Sequence, residues 1–297
     1  MTFSDLLNTS KFIVTTDVIP PKGVNISRML DRVRYLVGKV DAINVVDLPS
    51  AIMRVSSLPV AVILKQQGLE PILQMTCRDR NRLALQADLL GAYILGIRNV
   101  LALTGDNVDL SDNPRVKSVF DLDSIGLLRA IRSLEKGYDL GNNSLKGSPR
   151  FCKGAVVDLT ADPLEPEIER MHQKIEAGAE FFQTQPIFEI ERIVKFIEKA
   201  GKIKTPILGG VLLLKSSKMA YFMDKNVPGI RIPKSIIYQI EKAKNPVEAS
   251  IQIACNIINQ LKEICRGIHI MTVNWEDKIP LLLQKAHLPH SIKKTSS

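Results

Sequence analysis

The chain has 297 residues, of which 45% are hydrophobic and 24% are charged, and its formal net charge is +9. This length suits a single α/β barrel, and such a chain can bury a core without disulfides or structural metals. The basic residues are spread along the chain and only 5% of residues are aromatic. A nucleic-acid-binding surface is therefore not expected, and small polyanions such as a dinucleotide are the favoured anionic partners.

The cysteine pattern and the hydropathy argue against metal-binding, disulfide-bonded and membrane-spanning proteins. The four cysteines have neither CxxC spacing nor histidines at metal-ligand spacing, so we expect no bound metal and reduced thiols. No apolar run approaches the length of about 18 residues that a membrane span needs. The first residues lack the pattern of a signal peptide. We therefore expect a cytoplasmic protein with no membrane partner.

Apolar, strand-like runs alternate with amphipathic helical segments about eight times along the chain. The predicted strands are residues 11–19, 41–47, 71–77, 99–103, 152–159, 181–186, 207–214 and 268–273. The predicted helices are residues 27–37, 55–67, 81–95, 122–136, 165–177, 190–200, 217–226, 233–242, 246–266 and 277–286. Residues 106–115 and 137–149 are rich in turn-forming residues and are predicted loops.

Strict alternation of strands and helices predicts parallel strands whose faces are covered by helices. Eight such units can close into a single (β/α)8 TIM barrel, which we place at residues 1–290, with residues 291–297 as a C-terminal tail. A doubly wound open sheet is the alternative. That fold usually has a glycine-rich turn after its first strand, whereas here the turn reads D-V-I-P-P from Asp17 to Pro21. The barrel is therefore the predicted fold.

Polar residues stand at the carboxyl ends of the predicted strands, where barrels of this type form their active sites. They include Asp17, Asp47, Gln74, Thr76, Thr104, Gly105, Asp106, Asp158, Gln183, Gln185, Lys215, Ser216 and Asn274. The set has no histidine at a strand end and no Ser/His/Asp or Cys/His pair. Hydrolysis through a protein nucleophile is thus disfavoured, and hydride chemistry on a bound cofactor is the better interpretation.

Four motifs, in order along nearly the whole chain, resemble a known family. They are D-V-I-P-P-K-G at 17–23, Q-M-T-C-R-D-R-N-R at 74–82, A-L-T-G-D at 102–106 and K-I-E-A-G-A-E-F-F-Q-T-Q-P-I-F at 174–188. A fifth piece, I-H-I-M-T-V-N at 268–274, supports them. Together they resemble the methylenetetrahydrofolate reductases, and the second and fifth look most similar to the reductases of anaerobic one-carbon pathways.

The resemblance implies a barrel that binds FAD and reduces 5,10-methylenetetrahydrofolate to 5-methyltetrahydrofolate by hydride transfer. NADH, NADPH or a partner electron-transfer protein would supply the electrons, and we expect a homo-oligomer. Asp17 resembles the family's acid, Asp106 the carboxylate near the flavin and the folate, and Gln185 the amide that contacts the folate. The family's flavin contacts fall on Asp47, Gln74, Thr104, Gly105, Asp106, Glu167 and Lys174.

The sequence departs from the family's pattern at five of these and neighbouring positions. Asp17 is one methylene shorter than the usual Glu, Gln74 replaces a His, and Thr104 replaces an Arg. Trp275 stands where many members have a substrate-contacting Arg, and Ser217 replaces a Phe. These departures motivate an alternative, in which the chain is a folate-binding barrel subunit that needs a partner electron-transfer protein for turnover.

The remaining lysine, arginine, cysteine and histidine residues support further expectations. A barrel lyase with a Schiff-base lysine is disfavoured, because we expect no lysine inside the core of a strand except Lys11, which stands at a strand start. The segment Arg78-Asp79-Arg80 is predicted to be a salt-bridged loop, with phosphate or partner binding as the alternative. The cysteines and the four histidines are predicted to be structural.

Overall fold

In a computed structural model, which describes residues 1–227 and 229–288, eight parallel strands close into a barrel in the order β1 to β8, with β8 paired to β1. The strands are β1 Ile13–Val18, β2 Ala42–Val45, β3 Pro71–Thr76, β4 Asn99–Leu103, β5 Cys152–Val157, β6 Phe181–Pro186, β7 Ile207–Leu212 and β8 Gly267–Met271. The predicted single (β/α)8 barrel is confirmed. The predicted tail, residues 291–297, and the last two positions of the predicted domain lie outside the described residues.

Helices cover the outside of the barrel. They are α1 Phe3–Leu7, α2 Ser27–Val33, α3 Ser57–Gln66, α4 Arg82–Ile94, α5 Ser124–Glu135, α6 Glu165–Ala177, α7 Ile190–Ala200, α8 Ser217–Asn226, α9 Lys234–Lys242, α10 Pro246–Leu261 and α11 Ile279–Lys285. Local sequence explains several starts: the Asp123 carboxylate accepts the Gly126 N–H at 2.7 Å at the start of α5, as a helix N-cap does. Among the described residues, none of these helices is long and apolar enough to cross a membrane.

Several predicted boundaries were wrong at the ends of helices. The predicted helix 27–37 stops at Val33 and continues as a 3₁₀ turn, and the predicted helix 246–266 ends at Leu261. The predicted helix 277–286 starts as a 3₁₀ turn at Glu276 before α11. Amphipathic periodicity does not distinguish a last α-helical turn from a 3₁₀ turn, because both keep neighbouring apolar residues on one face.

Helix α1 was not predicted. Its five residues are too few for a recognisable periodicity, although Thr2 and Asp5 form a reciprocal capping box, with Thr2 N–H donating to the Asp5 carboxylate at 2.8 Å. The helix closes the N-terminal end of the barrel. Phe3 and Leu7 join an apolar cluster with inward residues of seven strands, namely Ile13, Ala42, Ile72, Leu101, Cys152, Phe181 and Leu208.

A polar layer lies directly above this apolar floor. Asn44 and Gln183 exchange two side-chain hydrogen bonds of 2.6 and 3.1 Å, and Gln183 Nε2 donates to Thr15 Oγ1 at 3.5 Å. Thr15 Oγ1 is also 3.0 Å from His269 Nδ1. Burial lowers the pKa of His269 to about 3, so the imidazole is neutral at physiological pH. The barrel interior therefore becomes polar toward the carboxyl ends of the strands, and His269 is a structural residue there.

Candidate active site

The inward positions one step above the polar layer form the open mouth of the barrel. Inward residues recur every second position along a strand, so Asp17 follows Thr15 and Gln185 follows Gln183 on the same face. Thr15 and Gln183 already meet across the barrel, at 3.5 Å. Asp17 and Gln185 are both partly exposed. The predicted acid and the predicted folate-contacting amide thus lie on opposite walls of one mouth.

Asp17 is held at the junction of β1 and the segment after β8. Its carboxylate accepts the Thr272 N–H at 3.3 Å. The pKa of Asp17 is raised to about 7, mainly by burial; the Thr272 N–H opposes this shift and the nearby Glu276 carboxylate adds to it. An aspartate with this pKa exchanges a proton with a ligand near neutral pH, as a general acid must.

Two amides in the mouth are available to a ligand. Within the described part of the chain, the side chains of Gln74 and Gln185 have no hydrogen-bond partner, and both are half-buried. Gln185 packs against Gly229, which has a φ of +75° and would place a Cβ atom 3.0 Å from the Gln185 Cγ. A larger residue at that position would push the Gln185 amide out of its place at the rim.

The Thr104-Gly105-Asp106 motif follows β4 at the same rim. Asp106 is exposed, and its carboxylate accepts the Ser50 N–H at 2.8 Å. Gly105 has a φ of +101°, and a Cβ atom there would lie 2.8 Å from the Arg78 Cβ. Glycine is therefore required for the chain to pass this close to β3. Asp106 is turned toward the segment after β2, which places it beside the mouth on the side of β2 to β4.

The backbone pairing of β4 and β5 stops short of the rim, and this unpaired part of the wall is here called the opening. Their pairing ends at Leu101 and Gly154, whereas β3 and β4 stay paired up to Thr76 and Leu103. Thr104 lies on the β4 side of this opening, and its Oγ1 accepts the Ser124 N–H at 3.1 Å. The Thr104 hydroxyl thus helps to start α5.

A buried ion pair lies on the β5 side of the same opening. The Lys174 ammonium donates to the Val156 carbonyl at 2.7 Å and is 3.6 Å from the Glu167 carboxylate. Glu167 also accepts the Asp158 N–H at 3.1 Å. Burial lowers the pKa of Lys174, and Glu167 partly restores it. Glu167 and Lys174 are therefore brought together by α6, next to the rim but behind β5.

Asp47 lies deeper than the other predicted site residues. It is buried, and its carboxylate accepts the Thr76 N–H and the Thr76 hydroxyl, both at 3.0 Å, and Arg80 Nη1 at 2.8 Å. These bonds tie the end of β2 to the end of β3. Asp47 thus does not join the half-exposed group in the mouth, and its contact with a flavin stays a prediction.

The arginines of the R-D-R-N-R motif are all paired with carboxylates. Arg78 pairs with Asp79 at 2.7 Å, and Arg82 pairs with Asp121 at 2.8 Å, as Arg80 does with Asp47. Arg78 is itself buried and also donates to the Leu48 carbonyl at 2.9 Å. The predicted salt-bridged loop is confirmed.

Glu276 is a site residue that the sequence did not indicate. Only 1% of it is exposed, and its Oε2 lies 3.0 Å from the Arg32 Nε, although neither atom has a hydrogen bond of good geometry. Burial raises the pKa of Glu276. The segment before it is strained, because Val273 and Asn274 have φ values of +50° and +64°, a region that β-branched residues avoid. In the sequence, Glu276 looks like an ordinary exposed carboxylate at the start of a surface helix. No local pattern therefore indicated that it is buried.

One statement about lysines was wrong. Lys153 lies within β5 and is buried, whereas Lys11 precedes β1 and is not part of a strand. Its ammonium contacts Glu180 at 2.6 Å and Glu135 at 2.9 Å, which raise its pKa against the effect of burial. A charged, doubly paired lysine is a poor nucleophile, so the Schiff-base hypothesis gains no support from it. All four cysteines are buried and none forms a disulfide.

Fold and mouth together define a (β/α)8 barrel whose polar, partly open end carries an acid of raised pKa and two free amides. The family model for methylenetetrahydrofolate reductase matches residues 2–287, and the chain belongs to this family. The resemblance in the four motifs is thereby confirmed.

Relatives that are named as this enzyme agree with this assignment. Methylenetetrahydrofolate reductase 2 of Schizosaccharomyces pombe is 29% identical over 248 residues, which are 78% of this chain and 38% of that protein. The 5,10-methylenetetrahydrofolate reductase of Salmonella typhimurium is 26% identical over 220 residues, or 71% of this chain and 68% of that protein. The chain thus spans about two-fifths of the yeast relative's length.

Among solved structures, a Clostridium thermocellum protein that binds two copies of 5-methyl-5,6,7,8-tetrahydrofolic acid has the same fold. Its TM-score is 0.70 at 17% identity, with 97% of this chain and 100% of that chain covered.

Proposed function

We propose that this chain reduces 5,10-methylenetetrahydrofolate to 5-methyltetrahydrofolate, with FAD as its cofactor. The observation that carries the proposal is Asp17, a partly buried acid of pKa about 7 that faces the unpartnered amide of Gln185 across the mouth. Family membership over residues 2–287 and the folate-binding Clostridium protein of the same fold support it.

Asp17 is the proposed general acid. Reduction requires the five-membered ring of the substrate to open to an iminium ion, which needs a proton on the folate N10. A carboxyl group with a pKa near 7 is protonated often enough to donate and ionises readily enough to release the proton. Asp106, which is exposed at the rim, is the proposed carboxylate that stabilises the cationic form of the folate. Gln185 is the proposed amide that orients the pterin.

Residues of β3, of the end of β4 and of α6 beside the opening are the proposed contacts of a flavin dinucleotide. Gln74 offers an amide that has no partner among the described residues, Gly105 lets the backbone pass close to Arg78 and Thr76, and Lys174 supplies a buried positive charge. Thr104 and Glu167 border the same opening. FAD, when bound, supplies the hydride, with NADH or NADPH as the donor. Asp47 contributes through Arg80 and Thr76, since its own acceptors are already occupied.

A second candidate is a folate-binding barrel subunit that receives electrons from a partner protein. It is favoured by Thr104, whose hydroxyl is used at the start of α5 and supplies no positive charge to the cofactor. A cytoplasmic location and a homo-oligomeric state complete the proposal for either candidate.

An absorbance spectrum of the purified protein, followed by anaerobic titration with NADH and then NADPH, tests these candidates. A yellow protein whose flavin absorbance bleaches with either nucleotide supports the reductase. A yellow protein that neither nucleotide bleaches, and that still binds 5-methyltetrahydrofolate, supports the partner-dependent subunit. A protein that stays colourless after incubation with FAD would contradict both.

A further inference from the structure

Glu276 is a buried carboxylate beside the mouth that takes no part in the chemistry proposed above. Only 1% of it is exposed. Its Oε2 atom is the one buried carboxylate oxygen without a hydrogen-bond partner among the described residues. Because a buried charge is costly unless it is paired, such a group calls for a role in the fold or in the site.

Arg32 and Lys215 are the cations that face Glu276. The Arg32 Nε lies 3.0 Å from the Glu276 Oε2, and Lys215, in the segment after β7, also attracts the carboxylate. The neighbouring Asp277 is the other charged group near it. Burial raises the pKa of Glu276, and the two cations oppose this effect. We therefore take Glu276 to be ionised at neutral pH.

The turn from Thr272 to Glu276 connects this ion pair to the proposed acid. The Thr272 N–H donates to the Asp17 carboxylate at 3.3 Å, and Arg32 Nη2 donates to Asn274 Oδ1 at 2.9 Å. The two residues after Thr272 have φ values of +50° and +64°. Such strain persists only where the surrounding structure holds it, and it is common at functional sites. Arg32, which contacts both Asn274 and Glu276, holds this turn in place.

Glu276 also acts on Asp17 through its charge. Burial is the main cause of the raised pKa of Asp17, and Glu276 is the charged neighbour that adds to it. A negative charge close to a carboxyl group disfavours the loss of its proton. Arg32 is not among the groups that shift the pKa of Asp17. Glu276 is thus the residue through which the charge of this region reaches the acid.

We propose that Glu276 is a positioning residue for Asp17: with Arg32 it holds the strained turn that carries Thr272, and its negative charge keeps the Asp17 carboxyl protonated until the folate takes the proton. This inference rests on the proposed function, which makes Asp17 the general acid. In the proton transfer the O–H bond of Asp17 breaks and the N–H bond at the folate N10 forms. Glu276 keeps its charge throughout and neither gives nor takes a proton.

The test follows the pH profile of folate reduction in the purified full chain loaded with FAD. The flavin is reduced with dithionite under anaerobic conditions and mixed with 5,10-methylenetetrahydrofolate, and the rate of flavin reoxidation is measured by absorbance. This design does not depend on which electron donor the protein uses.

The variants separate the charge of Glu276 from its size. Glu276→Gln removes the charge and keeps the size, whereas Glu276→Asp keeps the charge. The double variant Arg32→Gln/Glu276→Gln replaces both partners, which a buried ion pair tolerates better than the loss of one partner. The matched control is Asp277→Asn, which removes a neighbouring carboxylate paired with Lys278 at 2.7 Å. Thermal unfolding shows whether each variant is folded, and the double variant decides if Glu276→Gln does not fold.

In the natural chain the rate should decline above about pH 7, as Asp17 loses its proton. In Glu276→Gln the decline should begin about one pH unit lower, because the ionised Asp17 no longer faces a like charge. The rate at pH 8 should therefore fall about tenfold, while the rate at pH 5 and the folate concentration for half-maximal rate stay near the natural values. The double variant should shift in the same direction, and Glu276→Asp and Asp277→Asn should keep the natural profile.

A second measurement does not depend on folate. The difference in the free energy of unfolding between the natural chain and Asp17→Asn, from urea unfolding, should change with pH up to about pH 7. In the Glu276→Gln background this change should end about one pH unit lower. If folate reoxidises the flavin in no variant, the proposed function fails, and this comparison still decides the role of Glu276.

Three results would overturn the proposal. One is a pH profile of the folded Glu276→Gln and double variants that coincides with the natural one. Another is a loss of rate that is equal at every pH, which would assign Glu276 to the fold alone. The third is a shift in Glu276→Asp or in Asp277→Asn as large as that in Glu276→Gln, because the charge at position 276 would then not be the cause.

Discussion

At the N-terminal end of the barrel, Phe3 and Phe181 meet edge to face with ring centroids 5.3 Å apart, within a cluster of buried apolar side chains. At the carboxyl end, the inward positions Asp17, Gln74 and Gln185 are polar and partly exposed. The same β-strands supply both ends, and two to four residues along a strand are enough to pass from one environment to the other. Stability and chemistry are thus separated along the barrel axis, so a substitution at one end should leave the property of the other end largely intact.

Asp17→Asn should cause the largest loss of function and little loss of stability. Removal of a general acid lowers turnover by about 10²- to 10⁴-fold. At pH 8 the variant should unfold no more easily than the natural chain, because the fold disfavours the ionised carboxylate. Steady-state kinetics and urea unfolding measure the two effects. Asp109→Asn, at an exposed position of the same rim, is the control. Turnover of Asp17→Asn close to that of the control would remove Asp17 from the mechanism.

Phe181→Ala should show the opposite pattern. Loss of a fully buried phenyl ring costs about 3–5 kcal/mol of the free energy of unfolding, while turnover per folded molecule stays near that of the natural chain. Urea unfolding followed by circular dichroism measures the loss. Phe222→Ala, at a side chain that is 62% exposed, should change stability by only about 0.5 kcal/mol. A large fall in turnover of folded Phe181→Ala would show that the two ends are coupled.

Gly105→Ala should affect both properties, because Gly105 connects β4 to the rim. The new Cβ atom would lie 2.8 Å from the Arg78 Cβ in a backbone with a φ of +101°, which should cost about 1–3 kcal/mol and displace Asp106. The control is Gly137→Ala, which has a φ of +86° but no atom within 4 Å of the added Cβ. It isolates the cost of the backbone conformation, about 1–2 kcal/mol. Equal losses of stability in both variants, with unchanged folate binding, would argue against the close contact as a determinant of the site.

The pH dependence of the free energy of unfolding should have opposite slopes for Asp17 in the mouth and for His269 in the polar layer. The folded-state pKa of Asp17, about 7, lies above the ordinary 3.8, so the folded chain holds this proton more tightly between these pH values. The Asp17 contribution to the free energy of unfolding therefore falls as pH rises from about 4 to about 7 and is constant above. His269, with its pKa lowered to about 3, contributes a rising slope between about pH 3 and 6.5.

The informative quantity is thus the difference in the free energy of unfolding between the natural chain and Asp17→Asn, measured by urea unfolding across this pH range. The relative stability of the variant should increase with pH, and turnover of the natural chain should decline above about pH 7 as Asp17 loses its proton. A difference that does not change with pH would mean that the Asp17 pKa is not raised in the fold.

The sequence by itself determined the barrel and the residues at its mouth. Alternating strands and helices predict the barrel, because a parallel strand needs a crossover helix to return to the same edge. The positions of Asp17, Gln74 and Gln185 at strand ends follow from local pattern, since side chains alternate along a strand.

Only the tertiary structure decided which polar residues are free and which are already paired. Asp47 binds Arg80, which lies thirty-three positions further along the chain, and Phe3 packs on Phe181. Glu276 is buried beside Arg32. The same holds for Arg54, whose buried Nε has no hydrogen-bond partner among the described residues. Periodicity and turn chemistry act over a few residues, whereas burial and pairing depend on which distant elements are brought together when the barrel closes.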